Sequence, residues 1–164
     1  MLSVRRRLSL LLGALLALAT ICPAAAASGP RAVVAAFYAA ELQPGTNRNL
    51  YAQYLDPATY ALYARAQAHN REPHGLVLDY DPASGTQVGF FHATVGAATI
   101  AGAAARVPVE LAVGLRSTST LARSLTVVLH HHATGWRIYD WIYHEPRRGD
   151  WSFRTQLIRA LNAR

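Results

Sequence analysis

The sequence predicts an α+β fold: N-terminal helices packed on a curved antiparallel sheet of about four strands, closed by a C-terminal helix. Three observations carry that expectation. Apolar residues recur at spacings of three and four as far as Ala68, alternate with period two after Gln87, and return to helical spacing after Ser152.

The first helix runs from Pro30 to Leu42, where Val33, Val34, Phe37, Tyr38 and Leu42 share one face. Pro30 suits its first turn and Pro44-Gly45 ends it. A second helical region extends from Asn49 to Ala68. Asp56-Pro57 inside it reads as an N-cap followed by proline at the first helical position, so two short helices meet there. Tyr51, Tyr54, Tyr60 and Tyr63 line it as half-buried packing whose hydroxyls reach water. Residues 69–87, with Pro73, Gly75, Asp81-Pro82 and Ser84-Gly85, form a long polar connection, either a lid or a surface loop.

Four strands follow. The first is Phe90 to Thr99. In the second, Val107, Val109, Leu111, Val113 and Leu115 alternate with Arg106, Pro108, Glu110, Ala112 and Gly114. Pro108 lacks a ladder donor, which predicts a bulge or an edge position there. Leu125 to His132 and Trp136 to Tyr143 are the last two, joined by a hairpin turn at Thr134-Gly135. The closing helix carries Phe153, Leu157 and Leu161 on one ridge.

Residues 1–27 read as a signal peptide. Arg5-Arg6-Arg7 is a basic n-region, Leu8 to Ala19 an apolar h-region, and Ala25-Ala26-Ala27 supplies small residues for cleavage. Two alternatives are an uncleaved anchor and lipidation at Cys22. Pro23 interrupts the first, and bulky Ile21 precedes the cysteine in the second. The expected location is periplasmic or secreted. Residues 28–164 then form a single domain without cysteine, so no disulfide or thiolate ligand is expected. That mature region carries thirteen arginines against nine acids, a net +4. No basic run interleaves with aromatics, which argues against nucleic acid as a partner. No basic amphipathic helix suggests stable membrane insertion after cleavage.

Several strings carry a resemblance: Val33-Val34-Ala35-Ala36-Phe37-Tyr38, Asp79-Tyr80-Asp81-Pro82, Gly135-Trp136-Arg137-Ile138-Tyr139-Asp140-Trp141-Ile142 and Leu157-Ile158-Arg159-Ala160-Leu161. With the order of elements, they resemble the superfamily of small cone-shaped domains typified by nuclear transport factor 2 and scytalone dehydratase. Within it, the chain is similar to an uncharacterised family of short exported bacterial proteins. The resemblance implies a conical pocket between the sheet and the N-terminal helices, which enzymes of the superfamily furnish with an Asp and a His. It also implies frequent dimerisation through the sheet. The fold hosts lyases, isomerases, ligand binders and interaction modules, so it leaves function open.

Asp140 is the first candidate catalytic residue. Strand alternation puts it on one face with Ile138 and Ile142, where desolvation raises a carboxylate toward the range of a general base. A two-residue turn at Thr134-Gly135 sets Leu129 opposite Asp140 and His131 opposite Ile138, bringing the Asp140–His131 pair within diagonal reach. Asp140 instead pairs with an arginine or caps a backbone group if its role is structural. His130 and His132 point to one side, a spacing that suits zinc or copper, but two ligands make no site without a third from His92, His144 or Glu145. No metal or other cofactor is therefore expected. Tyr139, Trp141 and Tyr143 alternate onto the outer face of the sheet, an aromatic patch for a ligand or partner. Packing under the closing helix, or a homodimer, is the alternative for that patch. Gly96 to Gly102 lacks the lysine and helix of a phosphate loop and reads as a turn.

The reading that follows is an exported binding module, more a non-enzyme than an enzyme, holding a small molecule or an envelope protein. The alternatives are an envelope inhibitor or immunity protein, and a cofactor-free lyase or isomerase using Asp140 and His131.

Overall fold

The computed structural model describes residues 29–43, 45, 49–72, 77–118 and 121–163. The signal-peptide segment and Pro44 lie outside the described residues. Helix α1 (Pro30–Glu41) starts with proline at its first position and buries Val33, Val34, Phe37 and Tyr38. Each of those large side chains contributes about 1.5–3 kcal/mol by leaving water. Helices α2 (Leu50–Tyr54) and α3 (Pro57–His69) meet at Asp56, as the Asp-Pro signal predicts. The Asp56 carboxylate accepts the Ala58 N–H at 2.9 Å, capping α3.

The sheet holds β1 (Gly89–Val95), β2 (Thr99–Ala101), β3 (Ala104–Gly114), β4 (Leu121–His132), β5 (Gly135–Tyr143) and β6 (Trp151–Ser152). Its order is β1-β3-β4-β5-β6, with β2 also on β3, and every ladder is antiparallel. Helix α4 (Phe153–Asn162) closes the chain, capped by the Ser152 hydroxyl accepting the Thr155 N–H at 3.0 Å. The architecture is α+β as expected, with six strands where about four were expected. The strand read as Phe90–Thr99 is two, because the ladder breaks at Gly96–Ala98 and resumes at Thr99. The sixth, β6, is only two residues long, below what a period of two can reveal.

Pro108 lies neither in a bulge nor at an edge. It sits in β3, between β4 on one side and β1 and β2 on the other. Its carbonyl accepts the Gly96 N–H at 2.9 Å. The N–H and C=O of one strand residue point the same way, so the donor that proline lacks would face the gap between β1 and β2, where no ladder needs it. A Cβ on Gly96 would lie 2.8 Å from the Pro108 ring, which accounts for glycine there.

The hairpin differs from expectation in register. His132 pairs with Gly135, so the turn is Ala133–Thr134, one residue earlier than the sequence suggests, and Gly135 closes it at φ +105°. A β-bulge follows: Leu129 pairs with Ile138 and Val128 with Asp140, leaving Tyr139 extra. The bulge reverses the parity of everything after it. Trp141 and Tyr143 therefore turn inward and are fully buried, with Phe37, Tyr38 and Phe153 around them. Trp141 meets Phe153 edge to face at 5.5 Å and tilts against Phe37 at 5.6 Å. These rings pack between the sheet and the helices, while a smaller concavity of about 290 Å³ remains between α1 and β1, lined by Arg31, Ala35, Ala93 and Val95.

Part of the 69–87 connection belongs to this core. Pro82, Ala83 and Ser84 are buried. The Tyr38 hydroxyl donates to the Ala83 carbonyl at 2.7 Å, and the Tyr143 hydroxyl to the Pro82 carbonyl at 2.5 Å. Arg123 donates to the carbonyls of Ser84 and Gly85 at 3.0 and 3.3 Å. Asp81 folds the segment on itself, accepting from the Ala83 N–H, the Ser84 hydroxyl and the Tyr51 hydroxyl. A chain held by core hydroxyls at its carbonyls is neither a free lid nor a surface loop.

Candidate functional site

The structure does not bring Asp140 and His131 together. Asp140 pairs with Val128, His131 with Trp136, and the two rungs point to opposite faces of the sheet. His131 is exposed and meets Trp136 edge to face at 4.9 Å. Asp140 is buried and saturated with donors. Its Oδ1 accepts the backbone N–H of Trp141 at 2.8 Å and of Arg154 at 2.9 Å, and its Oδ2 accepts the Ser152 hydroxyl at 2.6 Å. The Arg154 N–H is one of the unpaired donors of α4's first turn, so Asp140 acts as a second cap on that helix. Burial raises its pKa above the usual carboxylate value, opposed by the bonds from Ser152, Arg154 and Trp141 and by the Arg154 charge. The structural alternative, a carboxylate capping a backbone group, is the geometry seen.

The outer face of the sheet is polar, not aromatic. Ser124 donates to Glu110 at 2.7 Å, Thr126 bonds His144 at 2.9 Å, and His92 bonds Thr94 at 3.2 Å. Of the three aromatics expected there, Trp141 and Tyr143 are in the core. Tyr139, the bulge residue, is half-buried between the His130 ring at 3.9 Å and the Arg154 guanidinium at 4.6 Å. Arg154 also donates to the Thr59 hydroxyl, which donates to the Tyr139 carbonyl. His132 is engaged too, its Nε2 lying 2.8 Å from the Asp56 carboxylate. The residues around the hairpin thus tie α3 and α4 to β5. Among the described residues, no three His, Cys, Asp or Glu side chains form a metal-holding group.

The groups left to face solvent in a concave setting lie elsewhere. A groove of about 460 Å³ runs between the 77–88 segment and the chain from Glu145 to α4. Asp79, Tyr80 and Gln87 form one wall; Glu145, Arg148, Trp151 and Gln156 form the other. A second groove of about 510 Å³ continues along the segment toward Gly89. Asp79, Tyr80, Thr86 and Gln87 border both grooves, and the first of them is the furrow that the two walls enclose. At their shared boundary the Gln87 amide donates to Asp79 at 2.9 Å.

Each wall is positioned from the core. Tyr38, Tyr143 and Arg123 fix the 77–88 segment through its carbonyls, as above. Gly85 is required there: its φ is +65°, and a Cβ would come within 2.5 Å of the Tyr143 ring. Opposite, Trp151 lies on Tyr143 at 4.1 Å and edge-to-face with Tyr80 at 5.3 Å. Glu145 is bonded by Arg123 at 2.9 Å; that bond and charge hold it below the usual carboxylate value, with Trp151 and Arg148 adding to the effect. The Tyr80 hydroxyl is buried and, among the described residues, has no hydrogen-bond partner. Its pKa is pushed well up by burial and by the nearby Asp79 and Asp140.

The furrow is not legible in the sequence, because its residues are ordinary polar ones scattered from position 79 to 156. The one signal was Trp151, an aromatic outside any strand of readable length. Compared with known protein families, curated proteins and solved structures, the chain matches none.

Proposed function

We propose that the chain is an exported, non-enzymatic binding module of the cone-shaped superfamily, and that it holds a polar ligand in the furrow beside the 77–88 segment. The observation that carries this reading is the furrow itself: an open concavity with an aromatic flank, several convergent polar side chains, and walls anchored rigidly to an aromatic core. Export rests on the n-region, h-region and small residues of the first 27 positions. Against an acid–base enzyme stands Asp140, whose oxygens already serve three donors and which does not share a face with His131.

The test is equilibrium dialysis of the purified chain against low-mass solutes extracted from a bacterial envelope, with the retained compounds read by mass spectrometry. Wild type retains a compound, and Gln87→Trp, which fills the furrow from an exposed position, loses it. Retention of nothing, or equal retention by both proteins, contradicts the reading. The chain start of protein recovered from an exporting host tests the address: Ser28 supports cleavage, and Met1 or Cys22 contradicts it.

A further inference from the structure

We infer that the outer edge of β1 docks an extended peptide, which adds a strand there, sets alternate apolar side chains against α1 and pairs a carboxylate with Arg31. The site shares no lining residue with the furrow and stands apart from it. β1 ends the sheet, with β3 on one side and, among the described residues, no strand on the other. The Gly96 N–H reaches the Pro108 carbonyl, which sets the parity of the strand before it. His92 and Thr94 point their backbone groups at β3, and Ala93 and Val95 point theirs outward. The side chains of Ala93 and Val95 lie on the inner face, beside buried Leu111 and Val109. There, with Arg31, Ala35, Ala39 and Leu42, they line the concavity of about 290 Å³. Free backbone donors and acceptors thus run beside an apolar trough, the two elements that strand addition uses.

Residues 89–101 hold no proline, lysine, arginine, aspartate or glutamate, the residues that ordinarily close an edge to pairing. Charge then names the occupant. Arg31 is exposed on the rim of the trough, and among the described residues no carboxylate pairs with it. Tyr38 packs on Phe90 at 5.7 Å, so Arg31, about two turns earlier, lies toward the Val95 end. Every ladder of this sheet is antiparallel, and an added strand of that sense runs from Val95 toward Phe90. Its residues opposite Val95 and Ala93 face α1, and the residue two places before them faces Arg31. The ligand is therefore a peptide with an acidic residue followed, at the second and fourth positions after it, by apolar ones. Two nearer occupants lack the acid: neither residues 89–101 of a second copy nor residues 1–28 of the chain itself contain one. Glu41, at the far end of α1, is bonded to Tyr51.

The experiment adds end-capped peptides Gly-Glu-Thr-Xaa-Thr-Xaa-Gly, with Xaa valine, leucine or phenylalanine, to the nitrogen-labelled chain and follows its amide resonances and their hydrogen exchange. One of them binds saturably and protects the Ala93 and Val95 amides. Replacing its glutamate by glutamine weakens binding by about threefold to tenfold. Arg31→Gln weakens the glutamate peptide to the same extent and leaves the glutamine peptide unaffected, because the two changes remove one and the same pair. N-methylation of the two apolar residues, whose N–H groups face β1, abolishes binding, whereas N-methylation of the threonines keeps it. The inference is overturned if none of the peptides binds up to millimolar concentration, or if binding ignores the glutamate, Arg31 and the methylation pattern. Protection of the Ala93 and Val95 amides without peptide overturns it as well: in a dimer the edge belongs to a second copy, and in a monomer to the chain preceding α1.

Discussion

Replacing Asp140 by alanine separates a capping carboxylate from a catalytic one. The side chain accepts three hydrogen bonds, two from backbone N–H groups and one from Ser152. Losing a helix cap costs about 1 kcal/mol, and up to about 2 in a protein. Orphaning a buried donor costs about 1–3 kcal/mol on its own. The Ser152 hydroxyl can still turn to water, so the combined loss is about 2–3 kcal/mol. For a domain of this size that lowers the melting temperature by roughly 10 °C. Asp140→Asn keeps an oxygen for the two N–H groups and removes the charge that burial penalises, so it stays within about 1 kcal/mol of wild type. Urea unfolding followed by circular dichroism reads both as shifts in midpoint at constant slope. Alanine within about 0.5 kcal/mol of wild type refutes the capping argument, because surface substitutions alone stay in that range. A loss for asparagine as large as for alanine assigns the energy to the charge instead.

The same carboxylate sets a pH dependence. Burial holds Asp140 above its usual value, and Glu41 likewise through burial and the charge of Asp81. For a raised carboxylate the folded state takes up the proton first. Its stabilising contribution is full below the unfolded pKa and is lost as pH rises through the folded one. Asp140→Asn and Glu41→Gln therefore gain stability relative to wild type as pH rises above the ordinary carboxylate range, measured as unfolding midpoints against pH; a falling difference contradicts the shifts. Gly85→Ala combines a positive φ with a Cβ only 2.5 Å from the Tyr143 ring and costs more than about 2 kcal/mol, against less than about 0.5 for the same change at Gly29, which has open space around it. Tyr143→Phe loses a buried hydroxyl with a partner and costs about 1–1.5 kcal/mol, whereas Tyr80→Phe costs nothing. Equal effects of the two refute the assignment of hydroxyl partners.

What the sequence made legible was the local chemistry of capping and period. Asp56-Pro57 marks the α2–α3 joint and Pro30 opens α1, because each acts on neighbours within four residues. The face of β5 was not legible. Ile138, Tyr139, Trp141, Ile142 and Tyr143 give it apolar residues on both parities, so alternation has nothing to choose between. One extra residue at Tyr139 then exchanges Trp141 and Tyr143 between solvent and core, and moves Asp140 to the helix terminus. Bulges arise from pairing across strands, which no single stretch of sequence shows. The furrow was hidden for a related reason: Gln87 and Gln156 become one site only once Tyr38, Tyr143 and Arg123 have drawn the 77–88 segment onto the core.

The proposed site is this furrow and not the β4–β5 hairpin. Nuclear magnetic resonance of the nitrogen-labelled chain, titrated with the compound retained in dialysis, separates the two. Binding in the furrow shifts the Trp151 indole and the Gln87 and Gln156 side-chain amides and leaves the Trp136 indole beside His131 unmoved. Shifts centred on Trp136, His131 and Tyr139, with the furrow amides silent, would contradict it.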